Sequence, residues 1–387
     1  MRASLKDILI LTAVTLCLTI LIWLPFYLKL NNLAGLDFSE GINTIYRNFD
    51  GLEYIMIAKT FYQPNLFANL PQSLPANYFA AHFPGFALML IPFAAVIGYL
   101  KSMLLVSLLF TIASVIAFYF LIKNFKLTNH PLFLSVIFLI LPARWLIVHS
   151  VGSAEPMFIF FTIATFYFFL QFEDKRQWVF IWLAAFMGVF AQFTRSPGIL
   201  IFVALVLYLI WKFFVQKLYQ ANIFKIILSY LPLFLIPASL FLVFYWYSIS
   251  YNDFFAYFHS GDNIHLTFPP FQVFNINQFW VGEIWLEDII FLFILGFYAG
   301  ILLIKQKLYP LGFFVLTYLA ASTLVAHRDI SRYILPIFPF MLIAFEKVLT
   351  SKEFKIVLVI VALAIYLYAQ NFIINNTAPY PDPYLFN

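Results

Sequence analysis

The sequence predicts an all-α polytopic membrane protein, and its composition excludes most other classes. Of the 387 residues, 64% are hydrophobic and only 10% are charged, and the mean hydropathy is +0.93. A typical soluble chain has roughly 45–50% apolar and about 25% charged residues. Too few polar residues are present to cover a soluble core, so a soluble enzyme, a disordered chain and a collagen are excluded. Because Cys17 is the single cysteine, an intrachain disulfide and a Cys-based zinc site are excluded as well.

About 11 apolar segments of this single integral membrane domain, 1–387, are predicted to be transmembrane helices. A helix needs about 20 apolar residues to cross the hydrocarbon core of a bilayer. The segments lie near 8–28, 102–122, 131–149, 155–171, 178–194, 198–214, 225–249, 288–304, 310–326, 333–346 and 354–372. The first has no convincing small-residue cleavage site, so we expect an uncleaved anchor rather than a signal peptide.

A further apolar segment, 84–98, is short and contains Pro92, and whether it crosses decides the topology. Cytoplasmic loops are enriched in Lys and Arg. If 84–98 does not cross, 14 of the 22 basic residues fall on the side of the N-terminus. These are Arg2, Lys6, Lys123, Lys126, Lys175, Arg176, Lys212, Lys217, Lys225, Lys305, Lys307, Lys347, Lys352 and Lys355. We therefore predict that 84–98 is an interfacial or re-entrant helix, that the N-terminus is cytoplasmic and that the C-terminus lies outside.

The opposite, outer face carries the residues suited to chemistry. It is predicted to hold about 12 of the 17 acidic residues, five of the six His and the two long loops, 29–101 and 250–287. Functional residues tend to lie on loops held by a rigid scaffold. The absence of Walker, GxGxxG, HExxH and GxSxG motifs argues against an ATP-driven pump, a Rossmann-type enzyme and a zinc protease. The net charge of +5 requires no nucleic-acid partner, because most basic residues are topology signals.

The first outer loop contains candidate catalytic residues at helical spacing. Asp50, Glu53 and Tyr54 lie at i, i+3 and i+4 and therefore share one side of a helix. The plainer interpretation is that Asp50 caps the helix and that Glu53 is solvated. His82 precedes Pro84, a residue typical of a helix start. It is either a site residue or an interfacial polar residue with no further role.

Other candidates on the outer face are charged residues beside apolar spans. Arg195 interrupts a pair of spans where Pro197 and Gly198 form a tight turn, and ionisable groups at membrane depth are usually functional. The alternative is that Arg195 only extends to the interface. Glu155 is expected either to pair with an arginine or to bind a polar group of a substrate. The remaining candidates are Asp262, Arg328 and Arg332.

Several short motifs follow one another along the chain and fall on the outer face. They are Arg47-x-Phe49-Asp50-x-x-x-Tyr54-x-x-Ile57-Ala58, Phe83-Pro84-x-Phe86, Ser153-Ala154-Glu155-Pro156, Thr194-Arg195-Ser196-Pro197-Gly198-Ile199-Leu200, Ser260-Gly261-Asp262 and Arg332-Tyr333-x-Leu335-Pro336. Together they resemble the GT-C glycosyltransferases, in particular the GPI mannosyltransferase type (the PIG-V-like branch) and its bacterial relatives. The chain departs from that branch at Glu53, where the family has His, and at Phe61-Tyr62, where it has Gly-Tyr.

The resemblance implies an inverting glycosyltransferase of the extracytoplasmic face of a membrane, most simply a prokaryotic cell membrane. Such enzymes transfer a sugar from a polyprenyl-phosphate donor to a hydroxyl acceptor. Asp50 matches the general base of the family. Mannose is the sugar that the resemblance favours, and the acceptor is a glycan, a lipid or a protein.

The leaving lipid phosphate in such a transfer needs positive charge, and a planar guanidinium binds phosphate bidentately. We therefore expect Arg195, Arg332 and Arg328 to bind the donor phosphate. Desolvation should raise the pKa of Asp50 and make it a better base. The residues expected to bind the acceptor or sugar are Glu53, Tyr54, His82, Glu155 and Asp262. No cofactor is required if arginines supply the positive charge, and a divalent metal is the alternative.

A polytopic transporter or a lipid-linked glycan flippase is the main alternative function. Transporters place ionisable residues near the bilayer midplane and usually contain repeats. The spans here are nearly free of mid-depth charge and show no clear repeat, which favours the enzyme. An O-antigen-ligase-like enzyme does not explain the helix at Asp50, and a non-catalytic scaffold does not explain the one-sided cluster of His, Arg and acidic residues.

Overall fold

The computed structural model describes residues 2–215, 223–261, 266–278, 281, 285–380 and 382–387. These residues contain no β-strand, only three isolated β-bridges, and the predicted all-α fold is confirmed. The α-helices are α1 (Arg2–Tyr27), α2 (Ile42–Tyr46), α3 (Gly51–Thr60), α4 (Pro64–Phe67), α5 (Pro84–Ile97), α6 (Tyr99–Asn124), α7 (Pro131–Ile140), α8 (Ala143–Val148), α9 (Glu155–Lys175), α10 (Trp178–Thr194), α11 (Ile199–Val215), α12 (Ile223–Tyr230), α13 (Leu235–Tyr251), α14 (Trp285–Lys305), α15 (Tyr309–Ser322), α16 (Ile330–Tyr333), α17 (Phe338–Ala344), α18 (Glu346–Leu349) and α19 (Lys352–Asn375). Short 3-10 helices lie at Ala76–Ala81, Ser196–Gly198, Leu231–Phe234, Gln272–Phe274, Leu335–Ile337 and Pro383–Phe386.

Apolar helices lie at all of the predicted spans. Within the described residues, seven helices are long and apolar enough to cross a bilayer: Leu5–Tyr27, Tyr99–Asn124, Glu155–Lys175, Ser196–Val215, Ile227–Tyr251, Glu287–Lys305 and Lys352–Asn375. Shorter apolar helices occupy the other four: Pro131–Ile140, Trp178–Thr194, Tyr309–Ser322 and Ile330–Ala344. The helix predicted over 131–149 breaks at Leu141, because a residue before proline is restricted to extended conformations. The chain is an integral membrane protein.

Helix α9 lies inside the bundle, with α6 and α10 packed against it. In its most apolar stretch, 78% of the residues are buried within the protein, whereas the corresponding share in α19 is 17%. The helix α9 therefore faces other helices, while α19 exposes most of its apolar surface, as a lipid-facing helix does. The position of α9 matters because its first residue, Glu155, belongs to the candidate site.

The segment predicted to be interfacial or re-entrant forms α5, and its two ends contact different parts of the chain. At its start, a Cβ added to Gly85 would lie 2.8 Å from the backbone of Phe193, at the end of α10. At its other end, Gly98 adopts a positive φ of 79°, which permits the sharp turn into α6. Gly98 also contacts Asn387, whose carbonyl oxygen accepts a hydrogen bond from Lys59 of α3.

A buried ion pair joins α9 to α11 and α12 at the opposite end of the bundle. The carboxylate of Glu173 accepts hydrogen bonds from Lys212 and from the hydroxyls of Tyr208 (2.7 Å) and Tyr230 (2.5 Å). Lys212 is buried, so its charge depends on Glu173 for compensation. This network holds the ends of three helices together.

The substitution Glu173→Gln should destabilise the protein, because glutamine retains hydrogen-bonding groups but leaves Lys212 without a counter-charge. We expect the free energy of unfolding to fall by about 2–3 kcal/mol. The measurement is thermal unfolding of the detergent-solubilised protein. The neighbouring exposed residue provides the matched control, Asp174→Asn, which should leave the unfolding temperature nearly unchanged. Equal effects in the two variants would contradict the role of Glu173 as counter-charge.

Candidate active site

Five elements that are distant in sequence meet at one end of the bundle. They are the start of α3, the turn before α5, the start of α9, the turn after α10, and α16. In that order they contribute Asp50, His82, Glu155, Arg195 and Arg332. The start of α9 and the end of α10 lie side by side because a short turn joins these two packed helices. That arrangement brings Glu155 next to Arg195.

The guanidinium of Arg332 connects two of the carboxylates. Arg332 is only 4% exposed, and its Nη2 donates to Oδ2 of Asp50 while its Nε donates to Oε1 of Glu155 at 2.6 Å. The carboxylate of Asp329 lies 3.8 Å from Nη1 of the same guanidinium. The ring of Phe49 packs against it, 4.3 Å from the ring centre. Arg332 is thus enclosed by acidic groups from three parts of the chain.

Glu155 holds two arginines together. Its side chain is fully buried, and its Oε1 accepts hydrogen bonds from both Arg195 and Arg332. Two buried guanidinium groups repel each other, and an uncompensated buried charge is strongly destabilising. Of the two roles that the sequence leaves open for Glu155, the geometry favours pairing with arginine. Glu155 does not line either of the two cavities described below, which argues against direct contact with a sugar.

A second polar group adjoins Asp50. Nε2 of His82 lies 3.0 Å from Oε2 of Glu53 and 4.0 Å from Oδ2 of Asp50. The hydroxyl of Tyr380 donates to Oε1 of Glu53 at 3.0 Å. Tyr54 packs edge-on against His82, with 5.5 Å between the ring centres. Four predicted site residues therefore contact one another, together with Tyr380, which sequence reasoning missed.

The plainer interpretation of Asp50 and Glu53 is wrong. Asp50 precedes α3, but its side chain makes no capping hydrogen bond to that helix. Its carboxylate pairs instead with Arg332, in a hydrogen bond in which both partners are charged. Glu53 is buried rather than solvated.

The pKa of Asp50 shifts in the direction opposite to that expected. Burial raises the pKa, but the positive charges of Arg332, His82 and Arg195 lower it more, and the pKa lies well below the usual range of a carboxyl group. The expected rise is therefore wrong for the protein without substrate. Asp50 stays ionised throughout the neutral and mildly acidic range. Its capacity to accept a proton depends on whether Arg332 remains bound to it.

Local sequence explains how Arg195 reaches Glu155. Helix α10 ends at Thr194, and Arg195 is extended, with φ −150° and ψ 145°. A Cβ added to Gly198 would lie 2.5 Å from Cα of Gln192, so the chain folds back tightly on α10. The side chain of Arg195 is only 14% exposed and pairs with Glu155, which does not fit an arginine that only extends to the interface.

Two cavities of different character meet at Asp50, His82 and Tyr333, which line both. The smaller, about 250 Å³, also contains Arg195, and its other walls are mainly apolar. Its apolar residues include Leu200, Leu240, Phe244, Phe258 and Leu266. The larger, about 880 Å³, is lined by many charged residues. These are Asp50, Glu53, Arg144, Asp288, Arg328, Asp329 and Arg332.

One of the predicted residues, Arg328, does not join the cluster. Arg328 is exposed and lines the larger cavity only. Asp262 lies outside the described residues. A pair that sequence reasoning missed, Arg144 and Asp329, also lines the larger cavity, with Nη2 and Oδ1 2.5 Å apart. The isolated arginine within the predicted span 131–149 was the signal that could have identified it.

Asp50, Glu53 and His82 are also the described residues best placed to bind a metal ion. Each offers one ligand atom, and these atoms all lie within 4.8 Å of one another. The bonds from Arg332 to Asp50 and from Tyr380 to Glu53 compete with such a role. Function without a metal stays a prediction, made because Arg195 and Arg332 already supply positive charge.

Fold and site define a polytopic membrane protein with a buried cluster of carboxylates and arginines between an apolar and a polar cavity. Among solved structures, the chain is similar to ArnT from Cupriavidus metallidurans in its crystal structure bound to undecaprenyl phosphate, with a TM-score of 0.60 and 13% sequence identity. The match covers 92% of this chain and 63% of ArnT, so the chain spans less than two thirds of that protein. The similarity concerns the fold, and the GT-C-like fold is confirmed. No protein-family model and no curated protein sequence matches the chain.

Replacing Glu155→Gln should destabilise the site, because it leaves Arg195 and Arg332 buried side by side without the negative charge that offsets their repulsion. We expect the free energy of unfolding to fall by about 3 kcal/mol. The control is Glu40→Gln, which breaks the solvent-exposed pair with Arg47 and should cost less than about 1 kcal/mol. Thermal unfolding of both variants checks the difference, and a small effect at Glu155 would contradict its charge-compensating role.

Proposed function

We propose that this protein is an inverting glycosyltransferase that moves a sugar from a polyprenyl-phosphate donor to a hydroxyl acceptor. The observation that carries the proposal is the position of Asp50 and the paired arginines where the apolar cavity meets the polar one. The similarity to ArnT, crystallised with undecaprenyl phosphate, supports the class of donor. Location on the extracytoplasmic face and mannose as the sugar are further parts of the proposal, taken from the sequence.

The smaller cavity is proposed to receive the donor. Its apolar wall suits a prenyl chain, which needs no polar recognition, and Arg195 lies in the same cavity as Asp50. A guanidinium in that position can bind the phosphate and stabilise the negative charge that develops on the leaving oxygen. Arg332, held beside Arg195 by Glu155, is proposed to contribute a second positive charge.

The larger cavity is proposed to receive the acceptor, whose hydroxyl lies against Asp50. Asp50 takes the hydroxyl proton as the acceptor oxygen bonds to the anomeric carbon. The bond between that carbon and the phosphate oxygen breaks, and polyprenyl phosphate leaves with its electron pair. A single displacement of this kind inverts the configuration at the anomeric carbon.

Binding of the donor phosphate explains how a strongly ionised Asp50 becomes a base. In the protein alone, Arg332 lowers the pKa of Asp50 after burial has raised it. A phosphate that binds Arg195, which adjoins Arg332 and also lowers the pKa of Asp50, takes up part of the positive charge of this arginine pair. The pKa of Asp50 then rises toward the value that burial favours, so the base gains proton affinity only when the donor is present.

Replacement of Asp50→Asn should abolish transfer without unfolding the protein, because Arg332 keeps its hydrogen bond to Glu155 and its ion pair with Asp329. We expect the rate of polyprenyl phosphate release to fall by about a thousandfold. The assay uses a panel of polyprenyl-phosphate sugars and scores the released polyprenyl phosphate. The exposed carboxylate of the same loop provides the control, Asp37→Asn, which should be fully active. Normal turnover by the Asp50 variant would refute the mechanism.

Two arginine variants test the assignment of the cavities. Arg195→Ala should raise the KM for the donor by about tenfold or more, because the phosphate loses a charge-assisted contact. Arg328→Ala should leave the donor KM nearly unchanged, since Arg328 lines the larger cavity only. Steady-state kinetics with donor and acceptor varied in turn separates the two effects. A larger donor effect at Arg328 would restore the sequence-based expectation that it binds the donor phosphate.

A transporter or flippase is less well supported by the same geometry. The charges of the site are bound to one another at one end of the bundle, where the elements of the site meet. Movement of the sugar headgroup of a lipid across the membrane, without release of polyprenyl phosphate in the donor assay, would favour that alternative.

A further inference from the structure

The 376–387 segment returns to the site after α19 and packs on the first outer loop. Thr377 forms an antiparallel bridge with Asn48, and the amide of Ala378 donates to the carbonyl oxygen of Arg47 at 2.7 Å. Farther along, the amide of Leu100 donates to Oδ1 of Asn387 at 3.3 Å. These contacts join the segment to residues on both sides of α3.

Tyr380 is the residue of this segment that contacts Glu53, a neighbour of the proposed base. Its side chain is buried, and its hydroxyl donates to Oε1 of Glu53 at 3.0 Å. Burial and the adjacent charge of Glu53 raise the pKa of Tyr380 far above its ordinary value, so the phenol stays protonated and can act as the donor. The other oxygen of Glu53 faces Nε2 of His82, which also lies near Asp50. Glu53 and His82 therefore lie between Tyr380 and the proposed base.

The start of the segment forms part of the larger cavity. Asn376, Thr377 and Ala378 line it together with Asp50, Glu53 and other residues. Residues 376–378 thus border the space proposed for the acceptor, and Tyr380, two residues farther on, contacts the carboxylate of Glu53 that faces this space.

We infer that the 376–387 segment completes the active site and that Tyr380 is a positioning residue, which holds Glu53 in its pair with His82 beside Asp50. The effect on turnover rests on the proposed function, whereas the packing of the segment does not. Tyr380 has no contact with the reacting atoms in this role. It acts by fixing the side chains that surround the base.

The variant Tyr380→Phe keeps the ring and removes only the hydroxyl. We expect kcat to fall by about tenfold with little change in the donor KM, because the donor cavity is intact while the groups around Asp50 are misplaced. The matched control is Tyr384→Phe, which removes the same hydroxyl from a ring that is 53% exposed in the same segment, and it should be fully active. An unchanged kcat in the Tyr380 variant, or an equal loss in both, would overturn the inference.

A double-mutant cycle with Glu53→Gln separates positioning from general loss of structure. If Tyr380 acts through the Glu53 carboxylate, Tyr380→Phe should change kcat by less than about twofold in the Glu53→Gln background. Independent, multiplicative effects of the two substitutions would contradict that coupling and leave Tyr380 with a structural role only.

Cysteine labelling tests the packing without any assay of transfer. In a Cys17→Ala background, maleimide should label a Tyr384→Cys variant at least about tenfold faster than a Tyr380→Cys variant in intact membranes, because protection follows burial. Equal, fast labelling at both positions would overturn the inference whatever the activity. If the wild-type protein transferred no sugar from any polyprenyl phosphate, the proposed function would fail, while slow labelling at position 380 would still support the packing of the segment on Glu53.

Discussion

The arrangement of the site depends on one buried carboxylate, that of Glu155, which accepts hydrogen bonds from two guanidinium groups. Two like charges at this depth repel strongly, since little solvent is present to screen them. Glu155 offsets one charge and Asp50 offsets the other, so the four charges cancel. Four segments of the chain carry these groups, and all four must lie at their observed positions for the charges to balance.

This balance shapes the chemistry that the site can perform. In this neutral cluster Asp50 is ionised and hydrogen-bonded to Arg332. It is therefore a weak base until another anion binds the arginines. Under the proposed function the donor phosphate is that anion, and the reactivity of the base then follows donor binding. Under the same proposal, Asp50 gains proton affinity only when a leaving group is in position.

The two cavities beside the cluster differ in character, and the proposed function gives each a different substrate. The apolar side offers hydrophobic surface and one arginine, which suits a long hydrocarbon chain with a phosphate at its end. The polar side is larger and bordered by charges, including Arg328 and the pair Arg144–Asp329. The 376–387 segment adds to the wall of this side and also contacts Glu53 through Tyr380. The last residues of the chain are therefore joined to the first outer loop and the site.

The sequence by itself determined the class of protein, the number and place of the apolar helices and most of the charged residues that meet in the site. Apolar length and the scarcity of charge are local properties, so Arg195 and Glu155 could be identified from the apolar segments beside them. Tertiary structure alone decided the partners. It brought Tyr380 to Glu53, which lies 327 positions earlier in the sequence, and Arg332 to Asp50, which lies 282 positions earlier. It also reversed the expected pKa shift of Asp50, because a pKa depends on the distances to neighbouring charges, and these distances exist only in the folded chain.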